Sequence, residues 1–189
     1  MKSPKILPLG YALLGLLQKP SSGYDLRKVF SSTSMKTYSD SPGAIYPALR
    51  RLEQAGLIRG AIEERAGLRR RQVFRLTSKG ISELKKWISR PVTREDLVWG
   101  QEEILLRFAF SETVVGAAAA IEMLKSLEAA LKIHIRGLQE ELQQIKTEMP
   151  TSGRLAFECG IRGNQSLLAW TRDALATYEK HERRRGGTL

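Results

Sequence analysis

The sequence predicts a mainly α-helical protein in two parts, an N-terminal unit of helices with a two-stranded hairpin and a C-terminal unit of long helices. Apolar residues recur at helical spacing along most of the chain, and a glycine-containing turn separates two strand-like segments. Charge is also uneven: residues 1–90 carry 18 Lys and Arg against 6 Asp and Glu, whereas residues 91–189 carry 13 against 14. We therefore expect two domains, at residues 1–90 and 91–189.

The positive charge of the first part indicates a polyanionic partner. The whole chain has a net charge of +11, and its N-terminal half accounts for all of the excess. Basic charge confined to one folded unit favours double-stranded DNA as the partner, because each neutralised phosphate releases condensed counterions. A basic surface kept only for solubility would be spread more evenly along the chain.

Three helical patterns occupy the N-terminal unit before the hairpin. Residues 6–17 and 24–30 each place apolar side chains on one face, which is typical of core helices. In the third pattern, Ser41 is suited to an N-cap and Pro42 to the first helical position. The core face of that helix is expected to hold Ile45, Leu49 and Leu52.

A proline inside the third pattern leaves two alternatives for that helix. Pro47 is unfavourable in a helix interior because it has no N–H to donate. Either the helix starts near Gly43, which places Pro47 in its first turn, or the helix bends at Pro47. Both alternatives leave a slim N-terminal end that can approach a phosphate closely.

A basic hairpin follows the third helix. Residues 57–65 and 71–76 read as two strands, the turn between them contains Gly67, and residues 77–80 begin a fourth helix. Three helices, a two-stranded wing and a further helix describe a winged helix-turn-helix. In that fold the third helix enters the major groove and the wing contacts the backbone or the minor groove. Three arginines are expected at the wing: Arg69, Arg70 and Arg71.

Several spaced motifs carry a resemblance to a known family. They are Gly23-Tyr24-Asp25-Leu26, the string from Ser41-Pro42-Gly43 to Arg50-Arg51-Leu52-Glu53, Gly56-Leu57-Ile58, and the string from Arg71-Gln72-Val73 to Ser78-Lys79-Gly80. Together they resemble the PadR family of bacterial transcriptional regulators. The resemblance implies a winged helix-turn-helix that usually represses as a homodimer and often responds to a small molecule. It also implies that the following residues contact DNA: Tyr24, Ser41, Gly43, Ala44, Tyr46 and Arg50.

Within this set we expect different roles for the side chains. Arg50 is the side chain expected to reach a base edge, and the wing arginines are expected to contact phosphates. As alternatives, Tyr24 and Tyr46 are half-buried helix residues, and the arginine cluster is a solvated turn. The wing also departs from the Gly-Pro-rich pattern that is common in the family.

The C-terminal part predicts a coiled coil. A short helix at 101–110 precedes a long helix that runs from an N-cap at Ser111 to Met149, and a last helix spans about 154–182. Positions spaced alternately by three and four in the long helix are apolar in ten of eleven cases, with Glu128 as the exception. The inner face of the last helix is expected to hold Ala156, Cys159 or Gly160, Gly163, Leu167, Trp170, Ala174 and Tyr178.

Residues 157–162 and 168–170 extend the resemblance to the long-tailed PadR subgroup, whose C-terminal region is similar to that of virulence-gene activators. This implies dimerisation through the C-terminal helices, so that two DNA-binding domains bind a pseudo-palindrome together. The dimerisation residues are expected to be Ile121, Leu124, Leu131, Ile135, Leu138, Leu142, Ile145, Leu167 and Trp170.

Composition argues against several other classes of protein. One cysteine excludes an intramolecular disulfide, and two histidines without spaced partners give no zinc pattern. No catalytic set, metal site or cofactor motif is recognisable, so we expect neither an enzyme nor a cofactor. No window approaches 18 consecutive apolar residues, and we expect a cytoplasmic protein without a membrane partner.

The sequence thus predicts a ligand-responsive repressor that acts as a homodimer. An activator of the same fold, or a winged-helix module for protein–protein interaction, are the alternatives. A small aromatic effector is expected to bind among Trp87, Trp99 and Trp170, with Trp99 as the best candidate. For Trp87 and Trp170, ordinary core packing is the alternative.

Overall fold

The computed structural model describes residues 6–39, 41–63 and 70–186 of the chain. The chain divides into two compact units, Met1–Ile88 and Ser89–Leu189. This boundary lies two residues before the one expected from composition. In the first unit, the helices are α1 (Pro8–Leu16), α2 (Gly23–Ser32), a short 3₁₀ helix (Ser34–Thr37), α3 (Pro42–Gln54) and α4 (Ser78–Ser89).

The wing is part of a three-stranded antiparallel sheet in the order β1-β3-β2. Its strands are β1 (Ser21–Ser22), β2 (Ile58–Glu63) and β3 (Arg71–Leu76), and the β2–β3 ladder pairs Ile58 with Leu76 and Glu63 with Arg71. The sequence did not predict β1, because two residues are too short to show an alternating pattern. Of the predicted wing tip, Gly67 and Arg69 lie outside the described residues.

Core packing in the first unit follows the predicted helix faces. Ile45, Leu49 and Leu52 of α3 are buried as expected, together with Leu26 and Phe30 of α2. Helix α4 comes very close to the backbone at the start of β2, where a Cβ on Gly80 would collide with the Leu57 carbonyl. Glycine is therefore required at position 80.

Among its described residues, the second unit contains helices joined by short turns and no strands. Its helices are α5 (Arg94–Trp99), α6 (Gln101–Val114), α7 (Ala117–Ile145) and α8 (Thr151–Gly186). The predicted N-cap at Ser111 is wrong, because Ser111 lies inside α6, where its hydroxyl donates to the Phe108 carbonyl at 2.7 Å. The break comes later, at Gly116, whose φ of +113° favours glycine.

The predicted coiled-coil seam lies between α7 and α8 of the same chain. Leu124 and Leu131 are fully buried, and the cluster around Leu131, Ile135 and Leu142 includes Ile161 of α8. Glu128, the exception in the seam, accepts from Lys132 at 2.8 Å and from Arg172 of α8 at 3.1 Å. The hydrogen bonds from these two partners hold the pKa of Glu128 below its ordinary value.

The predicted inner face of α8 is partly wrong. Ile161, Asn164 and Thr171 are buried, whereas the following predicted residues are exposed: Ala156, Cys159, Gly160, Gly163 and Trp170. The Asn164 amide donates to the Gly160 carbonyl at 2.9 Å and the Thr171 hydroxyl to the Leu167 carbonyl at 2.7 Å. Because their own helix satisfies them, these polar side chains can be buried, which a purely apolar pattern overlooks.

A buried ionic cluster lies in the first part of the second unit. Thr93 is the N-cap of α5 and forms a capping box with Asp96. The Asp96 carboxylate also accepts two hydrogen bonds from Arg90, at 2.7 and 2.8 Å. Arg107, fully buried in α6, lies 3.8 Å from the Asp96 carboxylate and donates to the Arg90 carbonyl. Burial lowers the pKa of Arg107 to about 10. Burial would raise the pKa of Asp96, but hydrogen bonds from Arg90 and Thr93 outweigh it and lower that pKa.

We expect Asp96→Ala to destabilise the protein by about 3–5 kcal/mol, because it removes a carboxylate that faces both Arg90 and the fully buried Arg107. Since the pKa of Asp96 is lowered on folding, its stabilisation is complete above the ordinary carboxyl pKa and is lost as pH falls through the lowered one. Urea unfolding followed by helical circular dichroism measures both effects. Glu122→Gln, which opens only the exposed pair with Lys125, is the control. A loss below about 1 kcal/mol would contradict the assignment.

Candidate nucleic-acid interface

Helix α3 presents a polar face opposite its core face. Ser41 is the N-cap, and its hydroxyl accepts from the Gly43 N–H at 3.2 Å. Gly43, Tyr46 and Arg50 then follow at helical spacing on the exposed side, with Ala44 half-buried. Pro42 is the first helical residue, so Pro47 falls in the second turn of the helix rather than the first. The exposed face of α3 therefore combines a narrow N-terminal turn with the long cationic side chain of Arg50, one to two helical turns further along.

Arg50 differs from Arg71 and Arg75 of the wing in its electrostatic surroundings. It is exposed, and among the described residues it makes no ion pair. An arginine in this state can place its planar donors against a base edge or a phosphate without first giving up a carboxylate.

Two tyrosines lie beside this face. Tyr24 is 67 % exposed near the start of α2, and Tyr46 is 42 % exposed on α3. The ring of Tyr46 packs directly on Gly23, where an added Cβ would lie 2.6 Å from Tyr46 Cε1. Gly23 thus provides the space that the Tyr46 ring occupies.

The base of the wing is less basic than the sequence suggests. Arg75 donates to Glu63 at 3.0 Å, and Arg71 lies 3.4 Å from Asp25 and 4.0 Å from Glu63. Two arginines are thus matched by two carboxylates. Arg70 is exposed just before β3, while the predicted Arg69 lies outside the described residues.

Two acidic residues outside the predicted set of DNA contacts position these elements. Asp25 forms a capping box with Ser22 at the start of α2 and also reaches Arg71 of β3. Glu53 of α3 accepts from the Gly60 N–H of β2 at 2.7 Å, which ties the helix to the wing. The Ser-x-x-Asp spacing of 22–25 is a recognisable capping signal, whereas nothing in the sequence indicates the Glu53 contact.

The three tryptophans lie in different settings. Trp87 is buried and stacks on Tyr11 with ring centroids 4.2 Å apart, so it belongs to the core of the first unit. Trp170 makes an edge contact with Phe108 at 5.4 Å, while Trp99 is 88 % exposed at the end of α5. Among the described residues there is no group of three or more potential metal ligands, and no helix is long and apolar enough to cross a bilayer.

The first unit has the architecture of a winged helix-turn-helix: α2 and α3 form the helix pair, and β2 and β3 form the wing. Residues 13–86 match the profile of the Transcriptional regulator PadR-like family. These residues therefore form a domain of that family, which confirms the resemblance seen in the motifs. The assignment to the long-tailed subgroup stays a prediction.

The chain is also similar to proteins of known identity. It is 26% identical over 181 residues to the negative transcriptional regulator PadR of Bacillus subtilis (strain 168), over 91% of this chain and 98% of that protein. Among solved structures, it is similar to Bacillus subtilis PadR in complex with operator DNA, at 24% identity and a TM-score of 0.42, with 90% and 98% of the two chains covered. The complex of Bacillus subtilis PadR with p-coumaric acid gives 23% identity and a TM-score of 0.37, with 95% and 99% covered.

We expect Gly23→Ala to weaken binding to duplex DNA by about 0.5–1.5 kcal/mol, the value of one hydrogen bond, because the new methyl group displaces the Tyr46 ring. The ring is partly exposed and can move, so thermal stability should change little. Gly137→Ala is the control, since a Cβ on Gly137 of α7 would enter open space among the described residues. Fluorescence anisotropy with a labelled duplex measures the difference, and equal affinities of both variants would contradict the role given to Tyr46.

Proposed function

We propose that this protein is a sequence-specific DNA-binding transcriptional repressor that acts in the cytoplasm as a homodimer on a pseudo-palindromic operator. The observation that carries the proposal is the exposed face of α3, where Gly43, Tyr46 and Arg50 lie together on a winged-helix module. A helix N-terminus supplies backbone N–H groups for a phosphate, and an exposed arginine supplies donors for a base. The name of the Bacillus subtilis relative, a negative regulator, supports repression.

The proposed contacts divide into two groups. Tyr24, Ser41, Gly43, Ala44 and Tyr46 position the helix on the sugar–phosphate backbone, whereas Arg50 reads a base edge. On the wing, Arg69 and Arg70 contact phosphates, whereas the guanidinium of Arg71 faces Asp25 instead. Dimerisation matters because one small DNA-binding domain binds weakly. Two such domains, about one helical turn of DNA apart, bind the same duplex together.

For the dimer we propose contacts from the second unit. Ile121, Leu138, Ile145 and Leu167 are only half-buried within one chain, so part of each side chain remains accessible to a partner. The other predicted residues of the seam, Leu124, Leu131, Ile135 and Leu142, are already buried inside the chain. A dimer formed by the second unit would therefore use the rims of the α7–α8 seam and the exposed Trp170 rather than the seam itself.

Binding to DNA is tested by selecting duplexes from a random pool and measuring affinity between about 50 and 200 mM salt. A protein that contacts six to ten phosphates should lose roughly 10³–10⁵ in affinity over that range. A module for protein–protein interaction would show no affinity for duplex DNA and no such salt dependence.

We expect Arg50→Ala to reduce discrimination between the selected duplex and a random duplex by about 1–3 kcal/mol, because a base contact is lost. Arg51→Ala is a matched control: it removes the same charge from the next position of α3, where the side chain lines an apolar groove beside Leu52 and Ala55. It should leave the sequence preference intact. Equal losses on both duplexes with Arg50→Ala would show that Arg50 does not read a base.

Effector binding is proposed at Trp99. The stacking of Trp87 on Tyr11 identifies it as a core residue, whereas the exposed indole of Trp99 offers a free face to a planar aromatic compound. We propose that such a compound binds at Trp99 and releases DNA.

We expect p-coumaric acid to quench tryptophan fluorescence and to lower the affinity for the selected duplex. Trp99→Phe should abolish the quenching by this ligand, while Trp170→Phe should leave most of it. Competition anisotropy on the same samples measures release of DNA. Quenching that persists in Trp99→Phe would place the ligand elsewhere, and a wild-type protein without quenching or release would rule out this effector.

A further inference from the structure

The guanidinium of Arg71 faces two carboxylates. Its Nη1 lies 3.4 Å from Asp25 Oδ2, and its Nη2 lies 4.0 Å from Glu63 Oε2. Glu63 has a nearer partner in Arg75, at 3.0 Å. The contact with Asp25 is therefore the shorter of the two and links the start of α2 to strand β3.

The capping box holds Asp25 in place independently of Arg71. Its Oδ2 accepts from the Ser22 N–H at 3.3 Å and from the Ser22 hydroxyl at 2.7 Å, and its own N–H donates to that hydroxyl at 3.2 Å. The Asp25 carboxylate is thus a fixed negative charge. The longer and more flexible side chain of Arg71 forms an ion pair with it.

This ion pair contributes little to folding stability. The side chains of Arg71 and Asp25 are 42% and 46% exposed, and pairs of this kind are screened by water and salt. Its location is more informative, because Asp25 directly follows Tyr24 and Arg71 directly follows Arg70, two residues of the proposed DNA interface. A carboxylate at such a place opposes a polyanion.

We propose that Asp25 suppresses sequence-independent DNA binding by holding Arg71 away from phosphate. The proposal rests on the proposed function and adds a restraint to it. DNA of arbitrary sequence attracts basic side chains only through its phosphates, so an arginine already neutralised by a fixed carboxylate contributes little counterion release. Arg50, which makes no ion pair among the described residues, carries no such restraint.

The test measures the affinity of the full chain for a random-sequence duplex as a function of salt. Asp25→Asn should raise that affinity roughly two- to fivefold at about 0.1 M salt, as expected for release of one exposed ion pair. The slope of log K against log salt should become steeper by about 0.9, the value for one additional phosphate. Arg71→Ala alone should leave both quantities close to those of the wild-type protein.

Two control variants separate the ion pair from other effects. Ser22→Ala removes the hydroxyl of the capping box but keeps both charges of the Asp25–Arg71 pair and the hydrogen bond from the Ser22 N–H to Asp25, so random-duplex affinity should stay within twofold of wild type. Glu122→Gln changes net charge equally in the second unit and should have no effect. If Ser22→Ala reproduces the gain, the cap rather than the ion pair is responsible and the proposal fails.

The double variant Asp25→Asn/Arg71→Ala decides whether Asp25 acts through Arg71. The gain should disappear in this background; if it persists, Asp25 merely repels phosphates and the proposal is overturned. A salt slope that falls by about 0.9 with Arg71→Ala alone would also overturn it, because Arg71 would already contact random DNA. Wild-type protein that binds no duplex contradicts the proposed function, whereas wild-type binding with an unchanged Asp25→Asn variant contradicts only the restraint.

Discussion

The rotation of α3 about its own axis is the constraint on which the candidate interface depends. Ile45 and Leu49 are completely or almost completely buried, so the helix cannot turn without exposing them to water. With that rotation fixed, Gly43, Tyr46 and Arg50 face outward together. Two further contacts hold the helix against its neighbours: the Tyr46 ring packs on Gly23, and the Glu53 carboxylate binds the Gly60 N–H. Packing of the core face of α3 therefore sets the direction of its polar face.

Charge on the first unit is organised as well as abundant. The uneven charge of the sequence predicts a basic first unit, but composition alone does not distinguish one arginine from another. In the structure, Arg75 and Arg71 are matched by Glu63 and Asp25, while Arg50 has no ionic partner among the described residues. A cation outside an ion pair can bind a phosphate or a base without first losing a carboxylate, so we expect the proposed attraction for DNA to be stronger at α3 than at the base of the wing.

The sequence predicted the first unit well because its signals are local. Capping at Ser41, the i, i+4, i+7 spacing of Ile45, Leu49 and Leu52, and the two strands of the wing all appear in the fold. What it missed depends on contacts between distant residues. Strand β1 exists only because Ser21 and Ser22 pair with β3, and the Asp25–Arg71 pair spans 46 positions. No spacing rule connects such residues before the chain is folded.

The second unit shows a different limit of sequence patterns. An apolar seam indicates which face of α7 is buried, but that face can pack on a helix of a second chain or on another helix of the same chain. Here α8 returns along α7, and Leu124 and Leu131 are buried within one chain. The ion pair from Glu128 to Arg172 fits that arrangement, since the one charged position of the seam finds its partner on the returning helix. A dimer formed by this unit would therefore use the residues that the α7–α8 hairpin leaves exposed.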